Sequence, residues 1–61
     1  MDVALLKMLL SSTELDIYSA VVMARQDLET GRLDSAVARL RVDADKIRTV
    51  DKRLYDLIAM R

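Results

Sequence analysis

Gly31 is the only glycine in this 61-residue chain and there is no proline. The backbone therefore has one place where it can enter a left-handed conformation without a side-chain clash. A helix arriving from the N-terminal side is expected to stop at about Thr30. Asp34 lies just ahead of a new periodic run, where its carboxylate can accept orphan amide protons of a first turn, with Leu33 packing down as a staple. A second helix is expected from there. The chain reads as two arms folding back from one turn.

Each arm carries one apolar stripe at helical spacing. On the first, Asp2 can cap a helix starting at Val3, and Val3, Leu6, Leu10, Ile17, Val21, Ala24 and Leu28 follow at close to 3.6-residue steps. On the second the stripe is Leu33, Val37, Leu40, Ala44, Ile47, Leu54 and Ile58. Folded about Gly31, the stripes meet in order, Leu28 with Val37, Ala24 with Leu40, Val21 with Ala44, Ile17 with Ile47, Leu10 with Leu54 and Leu6 with Ile58. Thr13 and Asp51 interrupt the stripes at matching places, which predicts a polar layer, and Asp51→Leu would then complete the stripe and raise stability. The fold class this predicts is all-α, an antiparallel hairpin of two helices over about 3–30 and 34–60, each roughly 42 Å long at 1.5 Å per residue. A competing pattern sits in the first arm: Ser11-Ser12-Thr13-Glu14 matches a capping box and would break it there.

Two helices cannot cover all the apolar side chains. Leu5, Met8, Leu9, Leu15, Tyr18 and Val22 lie off the seam on the first arm, and Ala36, Val50, Leu57 and Met60 on the second. A face this wide calls for a bundle of three or more helices. Leu5, Met8, Leu9, Leu15, Tyr18, Val22, Val50, Leu57 and Met60 are accordingly the candidate interface for a second copy or a helical partner. A single domain over residues 1–61 that buries only about 60% of its unfolded surface also gains from association, because no Cys or His is present to build a disulfide or a zinc site.

The same absence narrows the chemistry. Without His, Cys or a glycine-rich loop there is no thiol or imidazole catalyst and no phosphate cradle, so neither enzyme activity, metal, cofactor nor small-molecule substrate is expected. A carboxylate pair, Glu14 with Asp51, is better explained as part of the polar layer. Ten basic and ten acidic residues cancel, so no global field draws the chain to nucleic acid or an anionic membrane. Residues 1–30 carry two bases against five acids and residues 31–61 eight against five, a polarity that favours pairing of the arms. Arg32, Arg39, Lys46 and Arg53 recur every seven residues and form the alternative, a nucleic-acid face on the second helix. Interleaved Asp43, Asp45 and Asp56 favour a solvated face instead, with Asp45 placed to pair with Arg41 and Arg48. The run Val3–Leu10 is about half the length that spans a bilayer and lacks the basic flank of a signal peptide, so a cytoplasmic protein is expected.

The segment Gly31-Arg32-Leu33-Asp34-Ser35-Ala36-Val37-Ala38-Arg39-Leu40 resembles the turn and second-helix start of a tetratricopeptide-type unit. The resemblance implies local geometry, a turn that closes an antiparallel helix pair. In size and outline the chain is similar to the small helical-hairpin co-chaperones of type III secretion and to RNA-binding hairpin dimers that control plasmid copy number. The expected function is a non-enzymatic protein-interaction module, an adaptor or co-chaperone, with a dimeric RNA regulator as the alternative.

Overall fold

The computed structural model describes residues 1–59 and is all-helical, with no strand among them. In chain order the helices are α1 (Val3–Leu10), α2 (Ser19–Glu29), α3 (Leu33–Val42), α4 (Ala44–Val50) and α5 (Lys52–Ala59), with a 3-10 turn at Thr13–Leu15. Asp2 caps α1, its carboxylate accepting from the Leu5 amide at 3.1 Å.

The turn between α2 and α3 follows from Gly31. Its φ is +77°, the only positive φ among the described residues. The Arg32 amide donates to the Asp27 carbonyl at 2.7 Å and the Gly31 amide to the Leu28 carbonyl at 3.2 Å, the paired bonds of a Schellman motif. α3 begins at Leu33, so Asp34 sits inside its first turn rather than ahead of it. A Cβ at residue 31 would meet nothing within 4 Å, so substitution there is opposed by backbone conformation alone. Gly31→Val is expected to lower stability by about 1–2 kcal/mol and Gly31→Asn by clearly less. Equal shifts in a urea titration would contradict that origin.

The two long helices are not formed. The first arm breaks between Ser11 and Tyr18, and the second breaks at Asp43 and again at Asp51, where φ and ψ are −148° and 106°. Packing partners are α2 with α3, α4 with α5, the 3-10 turn with α4, and α1 with both α5 and α2, while α3 also packs on α4 and α5. The hairpin is thus doubled over on itself. Its extents are 27 × 23 × 19 Å, against the roughly 42 Å rod that continuous helices would make. Its radius of gyration is 9.9 Å, close to the about 10.5 Å of an ordinary folded chain of this length.

Doubling over does the work that a partner was expected to do. Leu9, Leu15 and Ala36, which lie off the seam of a straight hairpin, are buried, and Leu5, Tyr18, Val50 and Leu57 pack half-buried against the same core. Accessible surface totals 3920 Å², near the about 4,000 Å² of a folded monomer of this mass. One seam residue is displaced outward: Ile17 is 80% exposed, and Leu15 is buried in the 3-10 turn that packs on α4. The break moves the inward position by two residues, from Ile17 to Leu15.

Nor does the polar layer form. Thr13 is exposed in the 3-10 turn, and Asp51 instead starts α5, its Oδ1 accepting from the Arg53 amide at 2.9 Å. Burial pushes the Asp51 carboxyl up, but the side-chain and backbone hydrogen bonds from Arg53 outweigh it and leave the pKa lowered. Leucine at 51 would remove a helix cap, a loss of about 1 kcal/mol, rather than complete a stripe.

Candidate functional site

α1 and α2 meet through Arg25. Its Nε donates to the Leu10 carbonyl at 2.7 Å, Nη2 to the Ser12 carbonyl at 3.0 Å, and Nη1 to Asp16 Oδ1 at 2.6 Å. One guanidinium therefore covers two carbonyls where α1 ends and also fixes the chain reversal that follows. Beside it lies a groove of about 240 Å³ lined by Lys7, Leu10, Ser11, Arg25, Leu28 and Glu29. Leu10 and Leu28 are themselves buried and provide an apolar floor, while Lys7 from α1 and Glu29 from α2 are exposed and of opposite charge. The volume falls below the roughly 300–1,000 Å³ of a small-molecule pocket. It has room for one or two amino-acid side chains.

Two exposed apolar residues stand on the helices that form the groove. Met8, 59% exposed, follows Lys7 on α1. Val22, 38% exposed, precedes Arg25 by three residues and Glu29 by seven on α2, which places it on the same helical face. Of the nine sequence-predicted interface residues, Leu9 and Leu15 belong to the protein's own core and are unavailable to a partner. Leu5, Tyr18, Val50 and Leu57 are half-buried, Met8 and Val22 are open, and Met60 lies outside the described residues. Sequence periodicity did not anticipate the exposure of Val42, 83%, at the end of α3.

The basic residues of the alternative site are not one face. Arg32 and Arg39 stand on α3 or just before it, Lys46 on α4 and Arg53 on α5, so the breaks at Asp43 and Asp51 scatter a spacing of seven that a continuous helix would align. Three of the four are occupied: Arg39 Nε lies 2.7 Å and Arg32 Nε 3.6 Å from the Asp27 carboxylate, and Arg53 pairs with Asp51 at 3.5 Å. Arg41, expected to pair with Asp45, is separated from it by the break and donates to the Ile58 carbonyl at 3.1 Å. Arg48 lies over the Tyr55 ring at 5.3 Å, a cation–π contact.

Asp27 is the buried polar residue that periodicity missed. Its Oδ2 accepts from Arg39 Nε at 2.7 Å and from the Ser35 hydroxyl at 3.0 Å, which ties α2 to α3. The register would have located it, because the position opposite residue 27 in the hairpin is 37 or 38, beside Arg39. The hydrogen bond from Arg39 holds the Asp27 carboxyl below its usual 3.8, with Ser35 and Arg32 adding to the effect and burial opposing it. A depressed carboxylate stabilises the fold above the unfolded-state pKa, about 3.9, and that stabilisation is lost as pH falls through the lower folded-state value. Wild-type Tm should therefore drop on acidification below about pH 4 more steeply than that of Asp27→Asn. Parallel Tm profiles between pH 2 and 7 would remove Asp27 from the acid response.

Among the described residues no group of three or more acidic side chains is placed to hold a metal ion, and no helix is long and apolar enough to cross a membrane. No family model, curated protein or solved structure matches the chain.

Proposed function

We propose that this chain is a non-enzymatic protein-interaction module that receives an amphipathic helix of a partner along the α1–α2 groove, as an adaptor or co-chaperone would. The observation that carries this is the groove itself, an apolar floor of Leu10 and Leu28 between the opposite charges of Lys7 and Glu29, with Val22 exposed on the face of α2 that carries Arg25 and Glu29 and Met8 exposed on α1. The complementary helix would bring one or two apolar side chains, spaced i and i+3 or i+4, with an acidic residue toward Lys7 and a basic one toward Glu29. A cytoplasmic setting is part of the proposal. The RNA-regulator alternative has less support, since three of its four cations are engaged with Asp27 or Asp51.

Site-specific photo-crosslinking in the native host tests the site. A crosslinker at Val22 or Met8 should capture one defined protein that a crosslinker at Asp45 on α4 does not. Lys7→Glu and Val22→Asp should abolish that capture with thermal melts unchanged. Equal capture from both faces, or capture that survives the two substitutions, would sink the proposal.

A further inference from the structure

α1 is held on the body in a way that a second copy can reproduce. Leu6, Leu9 and Leu10 bury its inner face against α5 and α2. The tie that Arg25 makes to α1 itself goes to a main-chain acceptor, the carbonyl of Leu10. Such an acceptor is present in any copy of the chain. Between α1 and α2 run eight residues, 11–18, containing only the short 3-10 turn. Within them Ile17 is 80% exposed although it falls in phase with the apolar stripe of the first arm. The chain thus contains a terminal helix packed through one face, a connector, and a large apolar residue in the connector that is left in water.

We propose that α1 is exchanged between two copies. In the exchanged dimer segment 11–18 opens, each α1 seats on the α5 and α2 surface of the other copy, and the two Ile17 side chains pack together where the connectors run side by side. The occupant is a second copy because the fit of α1 to that surface is already displayed within one chain. Closed and exchanged forms share the α1 contacts, so the balance between them is set by the connector and by concentration. Arg25 favours the closed form, since its contacts to Ser12 and Asp16 hold the connector in its folded-back shape. Ile17 favours the exchanged form through the burial it gains there. Exchange carries the α1 wall of the groove to the other copy, so the groove is rebuilt from α1 of one copy and α2 of the other, and sedimentation of the isolated chain reads exchange apart from partner docking.

Sedimentation equilibrium on the full chain between about 10 μM and 1 mM, the range of weak to moderate association, is the test. Arg25→Gln should tighten dimerisation at least about tenfold, and Ile17→Asp should weaken it by a similar factor while leaving the helical circular dichroism unchanged. Should Arg25→Gln fail to fold, deletion of residues 11–13 replaces it, because a shortened connector cannot close and must yield dimer. The chain has no cysteine, so exchange can be read directly by mixing Leu5→Cys with Leu57→Cys, which place thiols on α1 and α5. Oxidation should give mainly the mixed disulfide in mass spectra. A statistical mixture of disulfides, or wild type and connector variants that all remain folded monomers at 1 mM, would overturn the exchange.

Discussion

Leu15→Ala is expected to cost about 2–5 kcal/mol and Ile17→Ala about 0.5 kcal/mol or less. A straight hairpin predicts the reverse, because there Ile17 lies on the seam and Leu15 beside it. In the folded chain Leu15 is fully buried where the 3-10 turn packs on α4, and Ile17 points largely to solvent. Truncating Leu15 removes three carbons from a closed space and leaves a cavity that its neighbours fill only in part. At roughly 0.05–0.15 kcal/mol per residue, a chain of this length has a total stability of about 3–9 kcal/mol. One such truncation would consume a large part of it. Urea titrations followed by circular dichroism would measure both variants, and a larger loss at Ile17 would show that the first arm is continuous in solution.

Arg25→Ala should be the most damaging change at a charged position, at about 2–3 kcal/mol. A hydrogen bond from a charged donor contributes about 1.5–3 kcal/mol when its loss strands a buried acceptor. Arg25 serves two carbonyls, Leu10 and Ser12, from a partly buried position. Its pair with Asp16, whose side chain is half exposed, adds little because solvent screens it. Arg25→Lys separates geometry from charge. An ammonium cannot span three acceptors as a planar guanidinium does, so lysine should recover less than half of the loss. Full recovery by lysine in the same titration would reduce the contribution to a point charge.

Much of the centre of the fold was legible in residue order. Gly31 marked the turn, Asp2 the first cap, and the stripe Val21, Ala24, Leu28 with Val37 and Leu40 the α2–α3 contact, since a single glycine and a 3.6-residue period each have one structural solution. The three breaks were harder to read. Asp43 and Asp51 occupy single positions in an otherwise helical pattern, and neither residue forbids a helix as proline would. What decides is the width of the apolar face: a straight hairpin leaves Leu9, Leu15 and Ala36 in water, whereas the bent one buries all three. That global gain outweighs the few backbone bonds lost at each break. The capping-box pattern at Ser11–Glu14 did mark the first break, although α2 itself starts later, at Ser19. For the candidate site, Met8 and Val22 were legible as off-seam residues, but the groove was not, because it depends on Arg25 bringing the end of α1 against α2.

The placement of the turn also bears on how quickly the chain finds its fold. Between α2 and α3 lie three residues, whereas α1 and α5 are separated by forty-one. Closing the longer loop costs about 2 kcal/mol more in chain entropy. The α2–α3 hairpin is therefore the expected nucleus, and the docking of α1 on α5 belongs to the downhill side of the barrier. Ala36→Gly in α3 should then slow refolding in stopped-flow experiments, and Ile58→Val in α5 should act mainly by speeding unfolding. The opposite assignment would place the chain ends in the nucleus. With the ends docking last, a nascent chain still lacking α5 can already hold its central hairpin, with the inner face of α1 exposed to whatever meets it first.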